Sequence, residues 1–203
     1  MPDLDARLPS SLQAISETRR LGADVPSLVV RPESAPLGGG DRIPFLLWMH
    51  GRTATKELDP GRYLRLARAG IGVCAIDLPG HGERGTLEDQ EPERILDHIE
   101  RAIDEIDEIL RSLGGLGFDL DRAAIGGMSM GGMVAIARLC RPHRFRAAVL
   151  EATEGTVESI LETPTPQHPP AEFETLRRPR VAAFPWEERS WTSHHDVVSA
   201  EPA

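Results

Sequence analysis

The sequence predicts an α/β fold with a mostly parallel central sheet flanked by helices. Three apolar segments typical of buried strands, at residues 44–49, 69–77 and 123–126, each run into a polar or glycine-containing turn, and helical segments separate them. Strands that alternate with helices pair in parallel, because each helix returns the chain to the end of the sheet from which it started. An early strand at 25–30 and a later one at 145–150 extend the predicted sheet.

Two helices are predicted between these strands from their boundaries and their apolar spacing. The first spans about residues 59–69, since Pro60 suits the first helical turn and Gly70 suits the exit. The second spans about residues 92–113 and is followed by two glycines. Its apolar residues recur every three or four positions, so we expect them to pack on the sheet. They are Ile95, Ile99, Ile103, Ile106, Leu110 and Leu113.

A serine between a short apolar strand and a helix is the candidate nucleophile. Residues 127–131 read Gly-Met-Ser-Met-Gly, and an apolar stretch typical of a helix follows at 132–139. Glycines two positions either side of Ser129 avoid the collisions that side chains would cause in a sharp strand-to-helix turn. Such a turn exposes the serine hydroxyl and places the N–H of Met130 at a helix N-terminus, where it stabilises an oxyanion. The alternative is a glycine-rich turn with a solvated serine.

Three landmarks in this order resemble the α/β-hydrolase family. They are the His50–Gly51 turn, the Asp-Leu-Pro-Gly-His-Gly segment at 77–82 and the serine turn at 127–131. The His-Gly-x-Thr and Gly-His-Gly-x-Arg patterns are most similar to small bacterial serine esterases of the dienelactone hydrolase and prolyl-oligopeptidase-like branch. The resemblance covers about residues 24–156 and implies an α/β-hydrolase sheet. It also implies hydrolysis of a small carboxylic ester or thioester through an acyl-enzyme on Ser129.

The resemblance also implies an oxyanion hole made by two main-chain N–H groups, those of Arg52 and Met130. A solvated side chain is the expectation for Arg52, and steering of a carboxylate-bearing substrate is the alternative. His50 is expected to shape the oxyanion turn by hydrogen bonding, and His81 to order the loop that contains it, so neither is expected to act as the base.

The general base and its acid are the incomplete part of the pattern. In the family the order is Ser, acid, His, and no Asp lies between Ser129 and His195. His195, with His194 as the alternative, is the candidate base, although a disordered polar tail is the competing interpretation. Two explanations remain open: a hydrolase that lacks its last strands and its base, or a minimal hydrolase completed by the tail or by another subunit. The candidate acids are Glu151, Glu154, Glu187 and Glu188.

Length and composition limit the organisation of the protein and its partners. A single domain is expected over 1–203, with 157–203 as a divergent or poorly ordered tail. The net charge of −9 disfavours nucleic acid and anionic membrane surfaces as partners. We find no run long enough to span a membrane and no evident signal peptide, and we expect a cytoplasmic protein. Cys74 and Cys140 are expected to be packed thiols rather than a disulfide.

No metal site or cofactor is predicted. His194, His195 and Asp196 are contiguous and lack the spacing that lets ligands converge on an ion. The glycines of the serine turn match neither a phosphate loop nor a dinucleotide fingerprint. The expected partner is a small-molecule ester, and an exposed edge of a sheet without its last strands predicts self-association. The alternative to an enzyme is a non-catalytic or truncated α/β-hydrolase scaffold that binds a ligand or partner.

Overall fold

The computed structural model describes residues 8–32, 42–86, 89 and 94–153 of the chain. Within this part of the chain, the strands are β1 (Ser16–Leu21), β2 (Val25–Val30), β3 (Ile43–Met49), β4 (Gly72–Ile76), β5 (Phe118–Met128) and β6 (Ala147–Glu151). They form a sheet in the order β1-β2-β4-β3-β5-β6. Strands β3, β4, β5 and β6 are parallel, whereas β2 is antiparallel to both of its neighbours. The predicted mostly parallel sheet is confirmed.

Three helices of the described residues lie between the parallel strands. They are α2 (Pro60–Arg68), α3 (Ile95–Gly115) and α4 (Met130–Leu139), whereas the short helix α1 (Ser10–Gln13) precedes β1 and Gly82–Arg84 form a single 3₁₀ turn. Helix α2 begins and ends as predicted. The Asp59 carboxylate accepts a hydrogen bond from the N–H of Arg62 at 3.2 Å, which caps the first turn. Gly70 leaves the helix with a φ of 79°.

Helix α3 confirms the predicted apolar stripe, with two differences. Its isoleucines lie in the large core cluster that also contains residues of the sheet and of α4. Ile109 is fully buried in this cluster, whereas Leu110 packs against it and is only partly buried. The helix also continues through Gly114 and Gly115, where the sequence predicts its end. The reversal comes at Gly117, whose φ of 89° is a conformation that favours glycine.

Two strands differ from the prediction. Strand β1, which the sequence does not predict, pairs with β2 through a turn that contains Gly22 and Asp24, both with positive φ. Strand β5 begins at Phe118, so residues 119–122 lie inside the strand rather than before it.

Both faces of the sheet are covered. Helices α3 and α4 pack on one face, and Trp48 and Tyr63 lie in a second cluster with residues of α1 and α2. Cys74 is buried and Cys140 is half-buried, and both are free thiols as predicted. In the described part of the chain, we find no helix whose length and apolar content would allow it to cross a membrane.

The predicted self-association concerns β6, the last strand in the order of the described sheet. It pairs with β5, and the side chain of Leu150 is 43% exposed. Residues 154–203, which follow this strand, lie outside the described residues. Self-association through this edge therefore stays a prediction.

The core of α3 gives a direct test of the fold. Ile106→Ala removes a fully buried side chain and leaves a cavity, so we expect unfolding in urea to cost about 2–5 kcal/mol less than in the wild type. Arg111→Ala is the control on the same helix, because the Arg111 side chain is 71% exposed. Equal losses in the two variants would contradict the packing of α3 on the sheet.

Candidate active site

Ser129 lies at the sharp turn between β5 and α4. It has a φ of 50° and a ψ of −118°, which an L-residue rarely adopts, and its side chain is exposed. Three hydrogen bonds hold this conformation. The N–H of Ser129 donates to the Glu151 carbonyl at 2.8 Å, and the Ser129 carbonyl accepts from the N–H of Met133 at 3.0 Å and the Thr153 hydroxyl at 2.9 Å. The predicted strand-turn-helix geometry is present.

The two glycines beside the serine permit a close backbone approach. A Cβ on Gly127 would lie 2.3 Å from the carbonyl carbon of Gly131. A Cβ on Gly131 would lie 2.3 Å from the carbonyl oxygen of Met49 and 2.5 Å from that of His50. Backbone atoms cannot move aside as the end of a side chain can. The glycines therefore let the serine turn pack directly on the carboxyl end of β3.

The turn that contains Arg52 lies against the same serine. A Cβ on Gly51 would be 3.5 Å from the Cβ of Ser129. The N–H of Ala54 donates to the Gly51 carbonyl at 3.3 Å, and Thr53 has a φ of 65°, so this segment is a tight turn. Within the described residues, the N–H groups of Arg52 and Met130 donate to no other group. Neither predicted oxyanion donor has a hydrogen-bond acceptor in this part of the chain, and their role stays a prediction.

His50 fixes the turn that contains Arg52 and is not available as a base. Its Nδ1 donates to the Gly51 carbonyl at 2.7 Å, and its Nε2 accepts from the N–H of Leu78 at 3.1 Å. Burial is the main reason why the pKa of His50 falls to about 4, so the ring is neutral near pH 7. The hydrogen bonding that the sequence predicts for His50 is present, and the part of this turn in an oxyanion hole stays a prediction.

A buried ion cluster, which the sequence does not predict, anchors the loop after this turn. The Asp77 carboxylate accepts from the Lys56 N–H at 2.9 Å, the Lys56 ammonium at 3.0 Å and the Glu83 N–H at 3.1 Å. The ammonium also contacts Glu83 at 2.7 Å and Glu57 at 2.9 Å. Burial opposes its charge, but these carboxylates outweigh burial and raise the pKa of Lys56. The sequence offers one signal for this cluster, since Asp77 is an acidic residue directly after a buried strand.

Glu151, one of the candidate acids, forms an ion pair with Arg62. Both of its carboxylate oxygens accept from the guanidinium of Arg62, at 2.7 and 2.8 Å. Arg62 also pairs with Asp59 and stacks 4.0 Å above the ring of Trp48. Among the described residues, no histidine contacts the Glu151 carboxylate. Glu151 therefore ties α2 to β6, and its role as the acid of a triad stays a prediction.

The candidate bases lie outside the described residues. His194 and His195 lie outside them, as do the other candidate acids, Glu154, Glu187 and Glu188. In the part of the chain that the structure describes, no side chain hydrogen-bonds to the Ser129 hydroxyl. Two other described histidines, His81 and His98, each bond to a main-chain carbonyl.

A cavity of about 470 Å³ lies away from Ser129, between α3, the end of α4 and residues 142–145. None of the predicted catalytic residues lines it. The described residues also hold no group of three or more His, Cys, Asp or Glu side chains arranged to bind a metal ion.

Known proteins match this chain in sequence. A family model described as "Alpha/beta hydrolase family" matches residues 45–202. A provisionally named non-heme haloperoxidase from Mycobacterium phage D29 is 31% identical over 106 residues, which are 52% of this chain and 34% of that protein. The family match includes residues 157–202, which are nearly all of the segment that the sequence predicts to be a tail.

Solved structures share the fold. A puromycin-hydrolyzing peptidase from Mycobacterium tuberculosis superposes with a TM-score of 0.69 and 22% identity, over 94% of this chain and 31% of that one. A provisionally named dienelactone hydrolase from Klebsiella pneumoniae subsp. pneumoniae MGH 78578 gives a TM-score of 0.58 and 19% identity, over 69% of this chain and 60% of that one. The chain spans about a third of the length of the haloperoxidase and of the peptidase.

The close approach at the serine turn can be tested with a matched pair of glycine variants. Gly131→Ala places a Cβ against backbone oxygens, so we expect it to lower the free energy of unfolding by about 3 kcal/mol or more. Gly115→Ala meets nothing within 4 Å in the last turn of α3, so we expect it to raise that free energy by about 0.5–1 kcal/mol. Urea unfolding measures both. Similar effects of the two variants would contradict the packing described.

His50 predicts how stability depends on pH. The unfolded chain protonates this ring near pH 6.5, whereas the folded protein resists protonation until about pH 4. Stability is therefore fully present above pH 6.5 and decreases as the pH falls toward 4, by up to about 3 kcal/mol. Between pH 7 and pH 4.5, we expect the free energy of unfolding to fall less in His50→Gln than in the wild type. Carboxylates titrate in both proteins and cancel in the difference, so parallel profiles would show that His50 is not a buried neutral ring.

Proposed function

The chain belongs to the α/β-hydrolase family, and from this premise we propose that it is a serine hydrolase acting through an acyl-enzyme on Ser129. The proposed substrate is a small carboxylic ester or thioester. The observation that carries the proposal is the strained, exposed Ser129 at the strand-to-helix turn. A solvated serine in an ordinary turn has no need of a positive φ, and such strain concentrates at functional sites.

The proposed reaction follows from the groups around this serine. The Ser129 hydroxyl oxygen attacks the carbonyl carbon of the ester while its proton passes to a general base. The oxygen that gains negative charge accepts hydrogen bonds from the N–H groups of Arg52 and Met130, and one such donor contributes about 3–4 kcal/mol to catalysis. The intermediate then expels the alcohol or thiol, which takes the proton from the base. Water attacks the acyl-serine in the same way and releases the carboxylic acid.

We propose His195 as the base, with His194 as the alternative. This assignment rests on the family order of serine, acid and histidine, because both rings follow Ser129 in the chain. Glu151 is bound by Arg62, which leaves Glu154, Glu187 and Glu188 as the proposed acids. Glutamate is an accepted third member of such triads.

A second candidate function is a non-catalytic scaffold that binds a ligand at the same place. It is favoured by one observation, that the hydrogen bonds of the described residues include none to the Ser129 hydroxyl. Amide cleavage is a variant of the first candidate, because the M. tuberculosis structure is named as a puromycin-hydrolyzing peptidase. The chemistry at serine is the same for esters and amides, and only the leaving group differs.

A fluorophosphonate probe separates these candidates, since only an activated serine displaces its fluoride. We expect the wild-type protein to be labelled, Ser129→Ala to lose the label, and Ser11→Ala, which alters an exposed serine of α1, to retain it. Loss of labelling in His195→Ala as well would identify the base. Hydrolysis of 4-nitrophenyl acetate should follow the same pattern, and 4-nitroanilides test amide cleavage.

The scaffold interpretation makes the opposite prediction. A folded wild-type protein, checked by circular dichroism, would then show neither labelling nor hydrolysis above the level of Ser129→Ala. That result would rule out the serine hydrolase.

A further inference from the structure

The guanidinium of Arg52 has no acidic partner among the described residues. Arg52 is half-buried in the oxyanion turn, yet no carboxylate of the described part of the chain lies within 4 Å of it and no hydrogen bond of its side chain is present there. Other arginine side chains that are less than a fifth exposed each hold a carboxylate at 2.7 Å or closer. These pairs are Arg62–Glu151, Arg84–Glu105 and Arg138–Asp107.

An unpaired, half-buried guanidinium is costly. Burial removes part of the water that solvates the charge, and proteins normally compensate with a carboxylate. Among the described residues, Arg62, Arg84 and Arg138 follow this rule. Half-buried Arg31 instead donates to the Leu116 carbonyl at 2.7 Å. Arg52 has neither kind of partner there. This difference therefore points to an anion that is not part of the described chain.

The position of Arg52 connects this anion to the proposed reaction. Its main chain supplies a proposed oxyanion donor, and the preceding Gly51 lies against Ser129, since a Cβ added to Gly51 would be 3.5 Å from the Cβ of Ser129. Its side chain therefore starts from the turn that borders the serine.

The surroundings of Arg52 offer its charge little compensation. His81 is buried, its Nδ1 donates to the Pro79 carbonyl at 2.8 Å, and its Nε2 has no partner among the described residues. Burial chiefly lowers the pKa of His81, and the positive charge of Arg52 lowers it further, so the guanidinium is near enough to act on this ring. Even the His81 Nε2, which can accept a hydrogen bond, forms none with Arg52.

The other cation of the same loop cannot take the role of Arg52. Lys56 is fully buried and contacts three carboxylates, those of Asp77, Glu83 and Glu57. Its charge is therefore already neutralised inside the protein. Among the described residues, Arg52 is the cation of this loop that no carboxylate neutralises.

We propose that Arg52 is a specificity-determining residue that binds a carboxylate of the substrate, so that the preferred esters are anionic. This inference rests on the proposed serine hydrolase function. A guanidinium presents paired N–H groups that match the two oxygens of a carboxylate, and these charge-assisted hydrogen bonds are strong. The net charge of −9 disfavours anionic ligands in general, but a single positive group on the turn that borders Ser129 reverses this effect at short range.

Matched esters test the inference on either side of the scissile bond. Mono-4-nitrophenyl adipate is compared with 4-nitrophenyl hexanoate, which places the charge in the acyl chain. The ester 4-acetoxybenzoate is compared with methyl 4-acetoxybenzoate, which places it in the leaving group. For one of these pairs we expect the wild-type protein to favour the anion by about tenfold to hundredfold in kcat/KM.

The readout in the variants is the ratio of kcat/KM for the anionic ester to that for the neutral one. Arg52→Gln retains the main-chain N–H but not the charge, and we expect its ratio to fall to about one. Arg52→Lys should keep part of the preference, and added NaCl should reduce it in the wild type. Arg68→Gln removes the same charge from an exposed position of α2 and should leave the ratio unchanged.

Two results would overturn the inference while leaving the hydrolase in place: a wild-type protein that hydrolyses neutral esters without preferring anions, or a preference that persists in Arg52→Gln. Binding of adipate to Ser129→Ala, measured by calorimetry, tests the anion site without turnover. We expect the added Arg52→Gln change to weaken this binding about tenfold. If neither ester of either pair is hydrolysed, the proposed function fails. If Ser129→Ala and the double variant with Arg52→Gln then bind adipate equally, the anion site is overturned as well.

Discussion

The close backbone approach at the serine turn is the constraint on which the site depends. Strand β5 and helix α4 meet with no side chain between Gly127, Gly131 and the end of β3, and Ser129 takes up the resulting strain through its positive φ. Such a conformation costs about 1–3 kcal/mol and persists only where surrounding contacts fix it. Here the contacts are hydrogen bonds to Glu151 and Thr153, at and just after the neighbouring strand. The pairing of β5 with β6 therefore positions the serine as well as building the sheet.

A second constraint acts on the opposite side of the site. Asp77 follows the buried strand β4, where an unpaired carboxylate would be very unfavourable. Lys56 compensates it, and because Lys56 belongs to the loop after the oxyanion turn, the same ion pair anchors that loop to the sheet. Loss of one partner from a buried pair costs more than the net stabilisation that the pair provides. The cluster is thus better understood as a device that fixes the loop than as a source of stability.

The parts that the sequence predicts are those with a local physical signature. Proline and aspartate set the start of α2, the isoleucine spacing sets the buried face of α3, and the glycines flanking Ser129 set the sharp turn. Strand β1 lacks such a signature, because its central residues are charged and exposed and only its pairing with β2 defines it. The partners Lys56 and Asp77 are 21 residues apart. No local pattern links them, so the ion cluster appears only once the fold brings the two segments together.

The acidic groups near the serine also determine where a triad can be completed. Asp77, Glu57 and Glu83 are bound by Lys56, and Glu151 is bound by Arg62, so none of these carboxylates is free to orient a histidine. His50 is likewise committed through both ring nitrogens. The family order places acid and base after the serine. Both open positions of the proposed triad therefore fall within residues 154–203, which lie almost entirely inside the segment matched by the family model, 45–202. The serine hydrolase that we propose therefore draws both its acid and its base from this segment.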